Sequence, residues 1–226
     1  WADTEALKQI VAKLKELEKA QTPVDLFLAN FIYDKVGAKH KKTIHFRGCF
    51  PTDRVFEWSE MGHMKETQYI LMHNIFYRLK TLRASKTILP KHTFYVDNIF
   101  AFQPFPYVKK LYYMDVDFYH YFIGREDQSV NEQIMIGRID QQIRVNKLMI
   151  DIMAKQNFDG LDPKMKKYMY IYLDKIMTVT TSLLLVSKTP ENLQKKRELW
   201  DYLRQKSPQM HRHLRWTVLG ICMNLP

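Results

Sequence analysis

The sequence predicts a mixed α/β protein, with a sheet and helices in its first part and only helices in its last part. Residues 24–33 form an apolar stretch of strand length, and residues 111–122 are rich in aromatic side chains. From residue 130 onward, apolar residues recur at helical spacing. This change predicts two regions, residues 1–129 and residues 130–226. With 46% apolar residues, the 226-residue chain can bury a sizeable core.

The first elements are predicted to be a helix and a hairpin. Asp3–Ala20 is amphipathic, and Pro23 follows it, which favours a helix that ends before the proline. Val24–Tyr33 fits a buried strand. Thr43–Phe46 is a second strand candidate, and the two are predicted to pair as a hairpin.

The middle of the chain is predicted to alternate between short elements. We expect short helices at residues 51–58, 66–73 and 81–85. Pro104 and Pro106 end the segment that contains residues 96–102. Two aromatic strands are then predicted, at residues 111–114 and 117–122.

The last part is predicted to form a series of long helices. An apolar stripe runs from residue 130 to about residue 155, and further helices are predicted from Pro163, Pro190 and Pro208. No apolar run reaches about 18 residues, so a transmembrane helix is not expected.

The chain is basic, and the charge is unevenly placed. The formal net charge is +11, and residues 161–226 hold twelve Lys or Arg against five Asp or Glu. This balance favours an anionic partner, such as a phospholipid surface, a lipid-phosphate acceptor or nucleic acid. The alternative is a solvated basic helix face. The glycine-rich signatures of dinucleotide and nucleotide binding are absent, and Cys49 and Cys222 have no zinc-site spacing.

One aspartate lies inside an aromatic, apolar stretch, residues 94–100. An acid between aromatic side chains at the edge of a fold is a candidate general base, and this residue is Asp97. The alternative is that Asp97 caps a helix, with Asn98 beside it.

Several segments together suggest a family. They are Trp1-Ala2-Asp3 with Glu5-Ala6-Leu7, Val24–Tyr33, Met72-His73 to Tyr77-Arg78, the Asp97 run, and Tyr119–Ser129. In this order they resemble the second half of the family 2 glycosyltransferases, which are inverting GT-A enzymes of bacterial polysaccharide synthesis. The resemblance covers roughly residues 1–150. The chain departs from the family by lacking the Asp-x-Asp metal motif and the preceding βαβ half, and by having Val96 where many relatives have Glu.

The resemblance implies a fold, a reaction and a cofactor. Residues 1–129 would form part of a GT-A-like sheet, the acceptor-side half of the enzyme. A nucleotide-sugar donor would pass a hexosyl group to a saccharide or lipid-linked acceptor, with Asp97 as the base. Mg²⁺ or Mn²⁺ would neutralise the leaving diphosphate, with its ligands upstream of Trp1. We therefore expect this segment to be inactive alone, and to act in the cytoplasm or at the inner membrane face.

Four further residues are candidates for binding substrate. His120, Arg125 and Gln128 lie in and after a predicted strand end, where loops collect binding groups. The planar guanidinium of Arg125 suits phosphate oxygens, although it could instead pair with an adjacent acid. His63 follows a glycine and could line an acceptor cleft.

Two other functions are compatible with the sequence. The helical region could be a basic module that binds nucleic acid, although no helix-turn-helix or RNP-type signature supports this. It could also contact an anionic membrane through Lys164–Lys167 and Lys195–Arg197. A second copy of the chain is a further partner that the sequence leaves open.

Overall fold

The computed structural model describes residues 1–35, 37, 39–65, 68–124, 128 and 131–225. It is mixed α/β, with a curled mixed sheet and a helical C-terminal region, which confirms the predicted fold class. The chain forms two compact units. The first comprises Trp1–Ile88, Pro104–Glu126 and Asp162–Met165, and the second comprises Leu89–Gln103, Asp127–Leu161 and Lys166–Pro226.

A five-stranded sheet organises the first unit. Its strands are β1 (Leu26–Lys35), β2 (Lys42–Ile44), β3 (Val55–Phe56), β4 (Ile75–Tyr77) and β5 (Leu111–Ile123). The order is β2-β1-β5-β3, and β4 also pairs with β1. β1 and β5 run parallel, whereas the other pairs are antiparallel. The predicted hairpin of β1 and β2 is confirmed by their pairing.

Helix α1 (Thr4–Lys19) covers this sheet. Its N-cap Asp3 accepts a hydrogen bond from the backbone N–H of Ala6, which satisfies one of the free donors at the helix start. The apolar face of α1 packs on side chains of β1 and β5, and this cluster includes Ala6, Ile10, Leu17, Phe27, Tyr112 and Phe118. A second helix, α2 (Leu79–Ser85), follows β4.

Three predictions for the middle of the chain are wrong. Residues 51–58 contain β3 and no α-helix, because Val55 and Phe56 pair with β5. Among the described residues of the predicted helix at 66–73, only the start of a 3-10 turn, Met72–Asn74, is helical. The two predicted aromatic strands form one strand, β5, which bulges where it passes Asn30 of β1.

Helices build the second unit. They are α3 (Asp97–Phe102), α4 (Glu132–Gly137), α5 (Ile139–Lys155), α6 (Pro163–Val186), α7 (Pro190–Lys206), α8 (Pro208–Arg215) and α9 (Val218–Met223). The first residues of α6, up to Met165, are grouped with the first unit. The predicted starts at Pro163, Pro190 and Pro208 are confirmed. The core is formed by fully buried side chains from α3, α5, α6, α7 and α8, among them Phe102, Val145, Met149, Tyr172, Leu173, Leu199, Leu203 and Leu214.

Helix α6 is long and apolar enough to cross a membrane by length and composition alone. The sequence did not predict such a helix. Its most apolar 18-residue window has a mean hydropathy of 1.3, and 44% of that window is buried within the protein. A core helix of a soluble protein meets the same criteria, so this finding is weak evidence for a membrane span.

The two cysteines are free and lie in different surroundings. Cys49 is buried in the first unit, and burial raises the pKa of its thiol to about 12. Cys222 is exposed on α9.

Candidate functional site

Asp97 is the first residue of α3, in the second unit, and its side chain is half-buried. The backbone that leads to it is unusual, because His92 and Tyr95 have φ angles of 51° and 66°. For a residue with a bulky side chain this conformation is strained, and such strain persists only where neighbouring contacts impose it.

Contacts with α5 and its N-cap hold this strained segment. The side-chain oxygen of Gln141 accepts a hydrogen bond from the backbone N–H of Phe94 at 2.8 Å. The guanidinium of Arg138 lies 3.8 Å from the centre of the Phe94 ring. Arg144 donates to the hydroxyl of Thr93 at 3.1 Å. The position of Asp97 is therefore determined by packing as well as by the start of α3.

Burial raises the pKa of the Asp97 carboxyl, and its bonds with the backbone N–H groups of Asp97 and Asn98 offset part of this effect. The neighbouring Asn98 has a structural role. It donates to the carbonyl of Tyr95 at 3.0 Å and accepts from the hydroxyl of Tyr172 at 3.4 Å. The residue at the N-cap position is Val96, so Asp97 supports the helix start from the first turn.

A second polar site lies on the sheet of the first unit, where β5 bulges. We call it the Asn30 cluster, and it consists of Asn30, His45, Arg47, Tyr113, Asp115 and Asp117. The amide nitrogen of Asn30, which is fully buried, donates to Asp115 at 2.8 Å and to Asp117 at 3.0 Å. Its amide oxygen accepts from the hydroxyl of Tyr113 at 2.6 Å. The amide therefore bridges two carboxylates and a phenol.

The Asn30 cluster strongly favours the ionised form of Asp115. Burial would raise the pKa of this carboxyl, but hydrogen bonds from Asn30, Arg47 and Tyr113 outweigh burial and hold it at about 2. His45 lies 3.3 Å away and also contributes. The sequence did not predict this cluster. Its only signals are the polar Asn30 in an apolar strand and the two acids in an aromatic one.

His120 lies near the carboxyl end of β5, beside the parallel strand β1. Its ring stacks on Trp1, with 4.9 Å between the ring centres, and its Nδ1 is 3.7 Å from a carboxylate oxygen of Asp34. Asp34 also pairs with Lys41 at 2.7 Å. Ligands of open sheets commonly bind outside the carboxyl ends of parallel strands, which makes this edge a candidate binding surface.

The other predicted site residues are dispersed. Gln128 is grouped with the second unit, and its carbonyl accepts from the N–H of Asn131 at 2.9 Å. His63 is exposed in the first unit and has no hydrogen bond or ion pair with another described residue. Arg125 lies outside the described residues. Asp97 and His120 belong to different units.

The described residues do not supply a metal site. Among them, no group of three or more His, Cys, Asp or Glu side chains is arranged to hold a metal ion. The resemblance implies that the ligands of Mg²⁺ or Mn²⁺ lie upstream of Trp1, so the metal stays a prediction, and we derive no step through it.

Comparisons of the chain with protein-family models, with curated proteins and with solved structures found no match. The family resemblance therefore stays a prediction that rests on the residues themselves.

Proposed function

We propose that the chain is part of an inverting glycosyltransferase in which Asp97 is the catalytic base. One observation carries the proposal. The half-buried carboxylate of Asp97, which follows a strained aromatic segment, has a raised pKa because it is buried. A carboxylate with a raised pKa is a better proton acceptor, and strained backbone next to it is typical of functional sites.

In the proposed reaction, an acceptor hydroxyl attacks the anomeric carbon of a nucleotide sugar. A new carbon–oxygen bond forms while the bond to the diphosphate breaks, and the nucleoside diphosphate leaves with that bond's electron pair. The proton of the hydroxyl passes to the carboxylate of Asp97. The attack comes from the face opposite the leaving group, so the anomeric configuration inverts.

Asp97 suits this role better than the other buried ionisable groups. Asp115 has its pKa held at about 2, so it has little tendency to take up a proton. His73 stacks on Tyr119 at 5.1 Å, and burial lowers its pKa to about 4. Burial also raises the pKa of Asp174 on α6, but its carboxylate bonds with Thr217, which is consistent with a structural role.

The remaining parts of the proposal follow from the resemblance. The donor would be a nucleotide sugar, and the acceptor a saccharide or a lipid-linked saccharide, in the synthesis of cell-surface polysaccharide. His120, Arg125, Gln128 and His63 are proposed to contact these substrates. The catalytic Mg²⁺ or Mn²⁺ would be bound by residues outside this chain.

The test is acceptor-dependent release of nucleoside diphosphate by the natural full-length protein. A panel of nucleotide sugars would be supplied with Mn²⁺ and candidate acceptors, and wild type would be compared with Asp97→Asn. A matched control is Asp159→Asn, because Asp159 is an exposed aspartate of the same unit. General-base catalysis typically contributes about 10²- to 10⁴-fold, so we expect a loss of that size in Asp97→Asn only.

Two results would contradict the proposal. Release that is equally fast in Asp97→Asn and in wild type would remove Asp97 from the base role. Equal losses in Asp97→Asn and Asp159→Asn would show that the loss is a general effect of replacing an aspartate in this unit, which also removes Asp97 from the base role.

A further inference from the structure

The C-terminal end of the second unit exposes a group of large apolar side chains. We call them the C-terminal patch, and they are Trp216, Val218, Leu219, Ile221 and Leu225. Val218 is 78% exposed, Trp216 69% and Leu225 64%, which is unusual for such residues in one short segment. A contiguous exposed apolar surface commonly marks an interaction site.

The patch is exposed because α9 packs through its smallest residue. A Cβ atom at Gly220 would lie 1.8 Å from the carbonyl oxygen of Leu214, so only glycine allows this close approach to α8. The buried side of α9 is therefore occupied by Gly220, and its large apolar side chains lie toward solvent.

Hydrogen bonds fix this arrangement at both ends of α9. The hydroxyl of Thr217 accepts from the N–H of Gly220 at 2.9 Å, and Asn224 donates to the Gly220 carbonyl at 2.9 Å. Arg215 donates to the Asn224 carbonyl at 3.2 Å. The exposed side chains thus belong to a helix whose two ends are held in place by hydrogen bonds.

The apolar surface extends onto α6. Ser182 contacts the sulfur of Met223 at 3.2 Å, which places α9 against this part of α6. Val179 and Val186 lie about one turn to either side of Ser182 on the same helix face, and both are exposed.

The charged side chains within the segment that carries the patch are positive, whereas Asp174 of α6 has a carboxylate that bonds with Thr217 of this segment. Residues 207–225 contain Arg212 and Arg215 but no Asp or Glu. Burial lowers the pKa of Lys196 on α7, and the nearby positive charges of Arg215 and Arg197 lower it further. These cations therefore lie close enough to repel one another.

Other cations of α7 are neutralised. Lys195 pairs with Asp140 at 2.8 Å, Arg204 with Asp201 at 2.8 Å, and Lys206 with Asp151 at 3.1 Å. On α6, Lys164 donates to the carbonyl of Met61 at 2.7 Å. Some of the cations that the sequence analysis assigned to lipid contact are thus already used within the protein.

We propose that the C-terminal patch docks on an anionic phospholipid surface. Exposed Trp and aliphatic side chains, flanked by Arg and Lys, match the composition of segments that lie in the membrane interface. A second copy of the chain fits less well, because a symmetric contact would bring the same positive charges together. This proposal is independent of the glycosyltransferase assignment.

The test is sedimentation of the full chain with vesicles. One set would be phosphatidylcholine alone, and the other would also contain phosphatidylglycerol. We expect binding mainly to the second set, weakened by salt. Val218→Asp should reduce partitioning about tenfold, the effect of losing one buried aliphatic side chain. Arg212→Gln should reduce it roughly fivefold, as one basic residue contributes at an anionic surface.

Matched controls come from the first unit. Ile88→Asp changes an aliphatic residue that is 83% exposed, and Lys80→Gln removes an exposed positive charge. Both should leave vesicle binding unchanged. Equal losses in patch and control variants, equal binding to both vesicle sets, or no binding to either set would overturn the proposal. So would a dimer in solution that Val218→Asp converts to a monomer without affecting vesicle binding.

Discussion

Asp115 lies in the first unit, which contains the sheet, and Asp97 lies in the second unit, which is helical. Both residues are aspartates, but their surroundings shift the pKa of the carboxyl group in opposite directions. Asp115 receives hydrogen bonds from Asn30, Tyr113 and Arg47, which hold its pKa at about 2. Burial raises the pKa of Asp97, and backbone N–H groups donate the hydrogen bonds that offset part of this rise.

This difference separates a structural acid from a candidate catalytic one. A carboxylate whose oxygens are occupied by donors stabilises its surroundings but takes up a proton poorly. A buried carboxylate with few donors takes up a proton more readily. When two acids differ in this way, their roles can be assigned from their environments.

The largest effect expected from this comparison is on the pH dependence of turnover. A base works only when deprotonated, so turnover should fall about tenfold per pH unit below the raised pKa of Asp97. The measurement is acceptor-dependent diphosphate release by the full-length protein across the acidic range. Asp115→Asn is the control and should leave this acid limb in place. A wild-type rate that stays constant below the ordinary pKa of an aspartate would contradict the assignment.

The next effect is on stability, through the centre of the Asn30 cluster. Asn30→Leu keeps the approximate volume but leaves Asp115 and Asp117 close together without their shared donor. We expect the free energy of unfolding to fall by about 3 kcal/mol, measured by urea denaturation at neutral pH. Adding Asp117→Asn should recover part of this loss. If the double variant is less stable than Asn30→Leu, repulsion between the carboxylates is not the cause.

A smaller effect concerns His73, whose ring contacts the rings of Tyr119 and Tyr121. Its pKa is lowered to about 4 in the folded protein, so the unfolded chain binds its proton first as the pH falls. The stability that the neutral His73 ring allows is therefore present above the ordinary pKa of histidine and is lost as the pH falls toward 4.

When the pH is lowered from neutral to 4.5, protonation of His73 in the unfolded chain should lower the free energy of unfolding by about 2 kcal/mol. His73→Phe, which retains an aromatic ring, should remove that part of the pH dependence. The check is urea denaturation at both pH values. His40→Phe is the control, because His40 is exposed in the same unit. An unchanged pH dependence in His73→Phe would contradict the explanation.

The smallest effect is on stability at neutral pH, where replacing Asp115 and replacing Asp97 should change the free energy of unfolding in opposite directions. Asp115 has a depressed pKa, so its stabilisation is present above the ordinary aspartate pKa and lost as the pH falls toward 2. Asp97 has a raised pKa, so its contribution is largest at acid pH and is lost as the pH rises. At neutral pH, Asp115→Asn should therefore destabilise the protein and Asp97→Asn should stabilise it slightly. Denaturation at neutral pH measures both signs, and equal signs would contradict the contrast.

The helical region was the most predictable part of the fold. Its apolar residues recur at helical spacing, and prolines mark the starts of α6, α7 and α8, because a proline at the first helical position lacks only a donor that would be unpaired there. The helix predicted at residues 51–58 failed, because Val55 and Phe56 pair with a strand that lies far along the chain. Local patterns do not contain that information.

The candidate site was only partly predictable for the same reason. Asp97 could be selected because a lone acid in an aromatic run is conspicuous, whereas the strain at Tyr95 depends on contacts with α5 and its N-cap. The Asn30 cluster joins residues 85 positions apart and requires the bulges of β5 to align them. The roles assigned to His120, Gln128, Arg125 and His63 stay predictions.

The contrast between the two thiols has a practical consequence. Cys49 is 2% exposed and its raised pKa leaves little thiolate, whereas Cys222 is exposed on α9 beside Ile221. A maleimide fluorophore should therefore react at one position of the unaltered sequence. An environment-sensitive dye attached there would sit among the exposed apolar side chains and report spectroscopically on whatever covers them.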